Sequence, residues 1–285
     1  MRGAVKLAAP LLLLALVALA FLHAEAREAA LAAVALEALL LTAGAPLVLR
    51  RFRERRAKGE EWWRALEEAL FTVLPRPAAR LVATEQLILW CLLRRILRPG
   101  KRHTEHEFGY HRRSSLHTIL PVVLLLSPAE LGAVHLLAHI LSPWPPLKWV
   151  LLALGVYGIL WLAGLRASLE LLPHRLEEDG LRLRYGAHAE VFVPYAGIRE
   201  VLIHPARPAG EPLSLFPAEG LKYSPEGTLL LPVGGRTDLA LHLRSPVSAR
   251  GILKLRGPAT RVFFAADEPE RLAAELRRRP GIGFP

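Results

Sequence analysis

Long apolar runs alternate with short charged ones through the first half of the chain. Leu7–Leu22 carries no charge and follows Arg2 and Lys6. As a helix it rises about 24 Å, slightly less than a bilayer's hydrocarbon core. Two readings fit it: an uncleaved first span, or a signal peptide ending at the A-x-A pattern Ala24-Glu25-Ala26. Ala29–Leu49 is long enough to span, with Glu37 as its one internal charge. Ser115–Leu141 and Leu147–Leu165 are two further spans. Pro121 and Pro128 fall inside the first of these. Ser127-Pro128-Ala129-Glu130 has the Ser, Pro and Glu of an N-terminal capping box, which predicts a helix that breaks and restarts at Ser127.

Between these spans the polar positions follow helical spacing. Over residues 60–74, Trp62, Trp63, Leu66 and Leu70 oppose Glu60, Glu61, Arg64 and Glu67. That pattern predicts an interfacial amphipathic helix with its tryptophans at headgroup depth. Residues 78–98 are apolar but interrupted by Thr84, Glu85 and Gln86. They read as interfacial or re-entrant, because a span there would send the arginines after Leu93 to the outer side.

From Ala167 the period changes to two. Runs at Leu169–Arg175, Leu181–Tyr185, Ala189–Tyr195, Ile198–His204, Leu229–Val233, Leu239–Leu243, Ile252–Leu255 and Arg261–Phe264 predict about seven short strands. Arg182 and Arg184 fall on one strand face, read as solvated. Glu268–Arg279 predicts a closing helix with Asp267 as N-cap and Leu272, Ala273 and Leu276 on the buried face. The expected fold is a membrane α-helical bundle over residues 1–166. An α+β or mainly-β small barrel, or two packed sheets, follows over residues 167–285, capped by its C-terminal helix.

Composition agrees with this division. Apolar residues make up 52% and charged ones 22%, which excludes a disordered chain. A single cysteine, Cys91, excludes a disulfide framework and any CxxC zinc motif. The absence of Asn and the single Gln fit a thermophile, and a high-GC genome gives the same bias. Of the net charge of +11, residues 50–113 carry +8, as 16 Lys/Arg against 8 Glu. A basic excess between apolar segments is the pattern of cytoplasmic loops, not of a nucleic-acid reader. The expected location is the inner membrane, multi-pass, with the C-terminal domain in the cytoplasm. Arg50, Arg51, Arg53, Arg94, Arg95 and Arg98 are the candidate contacts to anionic lipid.

The run Leu181–Val201, LRLRYGAHAEVFVPYAGIREV, resembles the bacterial pleckstrin-homology-like domains found at the C-termini of multi-pass membrane proteins. Pro194 and Tyr195, followed by Ile198 and Val201, match that pattern, and the closing ADEPERLAAELRR from Ala266 is similar to the family's final helix. The resemblance implies a small barrel that binds a protein partner or lipid. Many pleckstrin-homology domains bind phosphoinositides through a basic cluster around the first hairpin. This chain carries Glu177, Glu178 and Asp179 in its candidate turn.

The candidate chemistry is imidazole and carboxylate. His103, His106, His111 and His117 lie close together in sequence, with Glu105 and Glu107 between them. His135 and His139 share a helix face. Such groups can ligate zinc or iron, which makes a metal-dependent membrane enzyme, or a metal or proton transporter, the alternative reading. The paired H-x-x-H-H boxes of membrane di-iron enzymes are absent. Glu37 and Glu130 are intramembrane carboxylates and default to functional candidates. Ser114 and Ser115 beside His111 and His117 form a weak nucleophile–base pattern. No G-x-S-x-G, P-loop, H-E-x-x-H or G-x-G-x-x-G motif occurs. The leading expectation is a non-enzymatic membrane protein without cofactor.

Overall fold

The computed structural model describes residues 44–98, 100, 104–141, 145–206, 219–224, 226–252 and 255–279. The chain divides into two compact units, Met1–Gln86 and Leu87–Pro285. The expected spans at 7–22 and most of 29–49 lie outside the described residues.

In the first unit, α1 (44–57) ends where Gly59 adopts φ +81°, a left-handed C-terminal cap. Next comes α2 (Trp62–Leu70), and Pro75 and Pro77 start α3 (Arg76–Leu97), which runs on into the second unit. Ala65, Ala69, Ala79 and Ala83 are fully buried. Arg80 meets Glu67 at 3.0 Å, both side chains nearly enclosed. Trp63 is buried as well, and its indole N–H donates to the Glu61 carboxylate.

In the second unit, α4 (Ser115–Leu141) and α5 (Pro145–Leu171) are both 27 residues long, about 40 Å each. They are the two helices, among the described residues, long and apolar enough to cross a membrane. The predicted break at Pro128 does not occur. Each internal proline removes one N–H from the ladder, and the rest of the ladder persists through both. The Ser127 hydroxyl donates back to the Val123 carbonyl at 2.7 Å instead of capping a new helix, and Glu130 is exposed rather than part of a capping box. The predicted strand from Leu169 is also corrected. Leu165, Leu169 and Leu172 are spaced as one helix face and are buried, so α5 continues to Leu171.

The nine strands among the described residues are β1 (Glu107–Phe108), β2 (His174–Leu176), β3 (Gly180–Tyr185), β4 (Ala189–Pro194), β5 (Ile198–Ala206), β6 (Lys222–Ser224), β7 (Thr228–Leu231), β8 (Thr237–Arg250) and β9 (Leu255–Phe264). They form one sheet ordered β1-β2-β3-β4-β8-β9-β7-β6, and β5 also pairs with β8. All pairings are antiparallel except β7 with β9. The 14-residue β8 joins the two parts of the sheet. Its first half pairs with β5, its far end with β4, and its register against β9 shifts between His242 and Val247. Of the expected strand Ile252–Leu255, Ile252 lies in a bend, Leu255 opens β9, and residues 253–254 lie outside the described residues. Leu181, Leu183, Val191, Leu241, Val262 and Phe264 fill the core. The final helix, α6 (Pro269–Arg277), buries Leu272, Ala273 and Leu276 as predicted. Asp267 does not cap it: the N-cap is Glu268, without a side-chain bond.

Phe108 and Tyr110 are almost fully buried in this same core. Residues 107–110, read from sequence as part of a basic connector, are thus built into the domain ahead of the two long helices.

Candidate functional site

Most of the polar chemistry gathers where α4 and α5 enter the sheet domain. Ser114 is the N-cap of α4: its hydroxyl accepts the His117 N–H at 3.4 Å and donates to Glu219 at 2.8 Å. Glu219 also accepts the Ser115 N–H at 2.5 Å, the Ser115 hydroxyl at 2.8 Å, the Tyr185 hydroxyl at 2.6 Å and the Gly234 N–H at 3.1 Å. Burial works to raise the Glu219 pKa, but the donated hydrogen bonds outweigh it and hold the carboxyl below its ordinary value. Burial and the Glu219 carboxylate together push the Tyr185 phenol well up. Gly234, at φ +58°, lies so close to the Arg113 carbonyl that a Cβ would come within 2.4 Å of its oxygen. The two serine hydroxyls are therefore committed to a helix cap, not to a histidine base.

The end of α5 is held in the same way. Ser168 donates to the Leu165 carbonyl at 2.8 Å and accepts the Ala187 N–H at 3.3 Å. Tyr110 donates to the Leu172 carbonyl at 3.3 Å and accepts the Gly186 N–H. Its ring stacks on His174 at 4.7 Å. His174 donates from Nε2 to the Ala265 carbonyl at 2.9 Å and accepts the Arg184 N–H on Nδ1 at 3.1 Å. Burial lowers its pKa to about 4, so the ring is neutral.

Beside this junction lies a cleft of about 520 Å³ whose walls include Arg95, Arg98, His111, Arg112, Glu170 and Asp267. The Glu170 carboxylate faces Arg95 at 3.1 Å, Arg166 at 3.4 Å and His117 at 3.7 Å. His111 and His117 meet edge to face at 5.2 Å. Asp267 accepts the Arg112 N–H at 3.2 Å, and burial raises its pKa against the pull of nearby His111 and Arg112. His106 is exposed. Among the described residues no three His, Cys, Asp or Glu side chains come together as a metal-ligand set. His103 and Glu37 lie outside the described residues.

His135 and His139 sit at the opposite end of the hairpin. His135 lies 3.2 Å from the Lys148 carbonyl, and Lys148 reaches His139 at 3.2 Å. Of the described members of the candidate intramembrane set, these two histidines pair with the start of α5, while Glu130 stands exposed earlier on α4. Of the candidate lipid contacts, Arg50 and Arg51 both pair with Glu54, and Arg53 is exposed.

Arg182 and Arg184 are buried, not solvated. Arg182 forms a bidentate pair with Glu177 and reaches Glu190 at 2.9 Å, and Arg184 meets Glu190 at 3.1 Å. Glu177, from the acidic turn, is thus committed to the Arg182 guanidinium. Sequence reasoning missed Glu219, Tyr110 and His174. Glu219 closes a Pro/Gly-rich stretch with no periodicity, and the partners of the other two lie far away in sequence. No family model, curated protein or solved structure matches the chain.

Proposed function

We propose that the chain is an integral membrane protein of the inner membrane. In this reading α4 and α5 cross the bilayer, and the sheet domain lies at its cytoplasmic face as a non-enzymatic module binding a protein partner or the leaflet. One observation carries it. The domain ends of the two helices are buried, yet their midsections expose Leu125 at 79%, Leu126 at 61% and Leu154 at 60%, with Leu136, Leu137 and Ile140 alongside. Only 11% and 17% of their apolar windows are buried. An exposed leucine in water forfeits about 2 kcal/mol of burial. A soluble fold with so many is improbable on energetic grounds, whereas hydrocarbon removes the penalty. Charge supports the orientation. Arg94, Arg95, Arg98, Arg112, Arg113 and Arg166 flank the domain ends, and Lys148 stands at the hairpin's other end. The resemblance of residues 181–201 to pleckstrin-homology-like domains supports a binding role for the sheet domain.

The test is alkaline carbonate extraction of membranes bearing the full chain, with protease applied to spheroplasts and to inverted vesicles. The expected result is retention in the pellet and digestion of the C-terminal domain in inverted vesicles only. Release by carbonate refutes the spans, and digestion in spheroplasts refutes the orientation.

A further inference from the structure

The last three turns of α3 carry an unusual surface. Helical spacing places Trp90, Leu93, Arg94, Leu97 and Arg98 on one side, where they line a groove of about 420 Å³. The Arg94 guanidinium lies over the Trp90 ring at 4.9 Å. Leu93, Ile96 and Leu97 are exposed. No acidic side chain lines the groove. Arg95, between the two other arginines, turns away to Glu170. Among the described residues neither Arg94 nor Arg98 has a carboxylate partner. Just before the groove, at Ile88, α3 touches α5: a Cβ on Gly164 would fall 2.6 Å from the Ile88 carbonyl oxygen.

We propose that this groove is a binding site for the headgroup phosphate of an anionic phospholipid. Arg94 and Arg98 hold the phosphate, Trp90 supports the Arg94 guanidinium, and Leu93, Ile96 and Leu97 lie along the acyl chains. The inference rests on the membrane reading above, which brings α5, and with it the contacting end of α3, to the bilayer. Guanidinium forks suit phosphate oxygens. The absence of a carboxylate from the groove leaves nothing to meet the ammonium of a zwitterionic headgroup, so the chemistry selects net negative lipid. A protein segment would need acidic residues beside an apolar stripe, and that alternative is separated by the test.

The experiment uses the full chain in lipid nanodiscs. Tryptophan fluorescence is quenched by brominated phosphatidylglycerol or, at equal mole fraction, brominated phosphatidylcholine. The difference between the natural chain and Trp90→Phe isolates the Trp90 signal. The expected result is stronger quenching by the phosphatidylglycerol. The lipid preference should drop by roughly fivefold for each guanidinium removed in Arg94→Gln and Arg98→Gln. Arg261→Gln, at an exposed arginine of β9 that faces Glu226, should leave it unchanged. Equal quenching by the two lipids overturns the site, as does a preference that survives the double variant. Absence of quenching by either lipid means that protein covers the groove, and overturns it too. Failure of the chain to enter nanodiscs sinks the membrane reading itself, so the two failures are distinguishable.

Discussion

His174 ties the stability of the sheet domain to pH. Its ring is stacked on Tyr110, set edge-on against Phe264 at 5.5 Å, and fixed in one tautomer by the Ala265 carbonyl and the Arg184 N–H. Burial is the main cause of its low pKa, and Arg184 adds to it. Protonation would turn Nδ1 into a donor facing the Arg184 N–H. The unfolded chain takes up a proton near pH 6.5, whereas the folded one does so only near pH 4. Between those values the unfolded state binds more protons, so stability falls as pH falls. At 1.36 kcal/mol per pH unit the loss is about 3 kcal/mol across the window. The reference is His174→Gln, which keeps one donor and one acceptor but does not titrate. At about 2–4 °C per kcal/mol for a domain of this size, the natural chain should lose about 6–12 °C more than the variant between pH 7 and pH 4. Scanning fluorimetry in one detergent, at matched scan rates, reads the difference. Parallel curves for the two proteins would refute the reasoning, because His174 would then titrate alike in both states.

Three further perturbations test the packing. Glu190→Gln leaves Arg182 and Arg184 buried with less negative charge and should cost about 3–5 kcal/mol in thermal or denaturant unfolding, while Arg184→Leu with Glu190→Leu should recover much of it. Gly164→Ala places a methyl 2.6 Å from the Ile88 carbonyl oxygen and should cost about 1–3 kcal/mol, read as a lowered Tm with an unchanged circular dichroism spectrum. Glu219→Gln replaces an acceptor of five hydrogen bonds and should cost about 1–3 kcal/mol, with faster hydrogen exchange at the Ser115 and Gly234 amides by mass spectrometry.

Periodicity carried the elements that are apolar and regular. The helices at residues 62–70 and 76–97, the two long apolar helices, the hairpin of β3 and β4, and the buried face of α6 all follow from spacing alone. What failed has a common cause: local pattern underdetermines tertiary context. Leu169 and Leu172 fit either a strand or a helix turn, and only packing decides. Ser127 and Pro128 read as a helix start, but apolar helices tolerate proline and the serine hydroxyl found its own chain's carbonyl. Arg182 and Arg184 alternate as a solvated face would, yet Glu177 and Glu190 pair with them in the interior. The histidine-rich stretch 103–117 looked like a ligand set because its members are neighbours in sequence. In three dimensions His106 points to solvent, whereas His111 and His117 approach each other near Glu170.

The lengths of the two apolar helices add a constraint. Each is about 40 Å long, while a hydrocarbon core needs about 30 Å. In the proposed arrangement the surplus of about 10 Å lies at the domain end, where Leu120, Leu165 and Leu169 are buried. Nothing resembling a flexible linker intervenes: two residues separate Leu171 at the end of α5 from His174 at the start of β2, and the Ser114 cap joins the 3-10 turn at His111–Arg113 directly to α4. A tethered module samples many heights above a membrane, as Gly/Ser-rich linkers allow. In the proposed arrangement this domain cannot. Glu219 fixes the start of one span, Tyr110 and Ser168 fix the end of the other, and β1 and β2 extend directly from them. Height and orientation are then properties of the fold, so whatever the domain binds must be presented at one distance from the lipid surface.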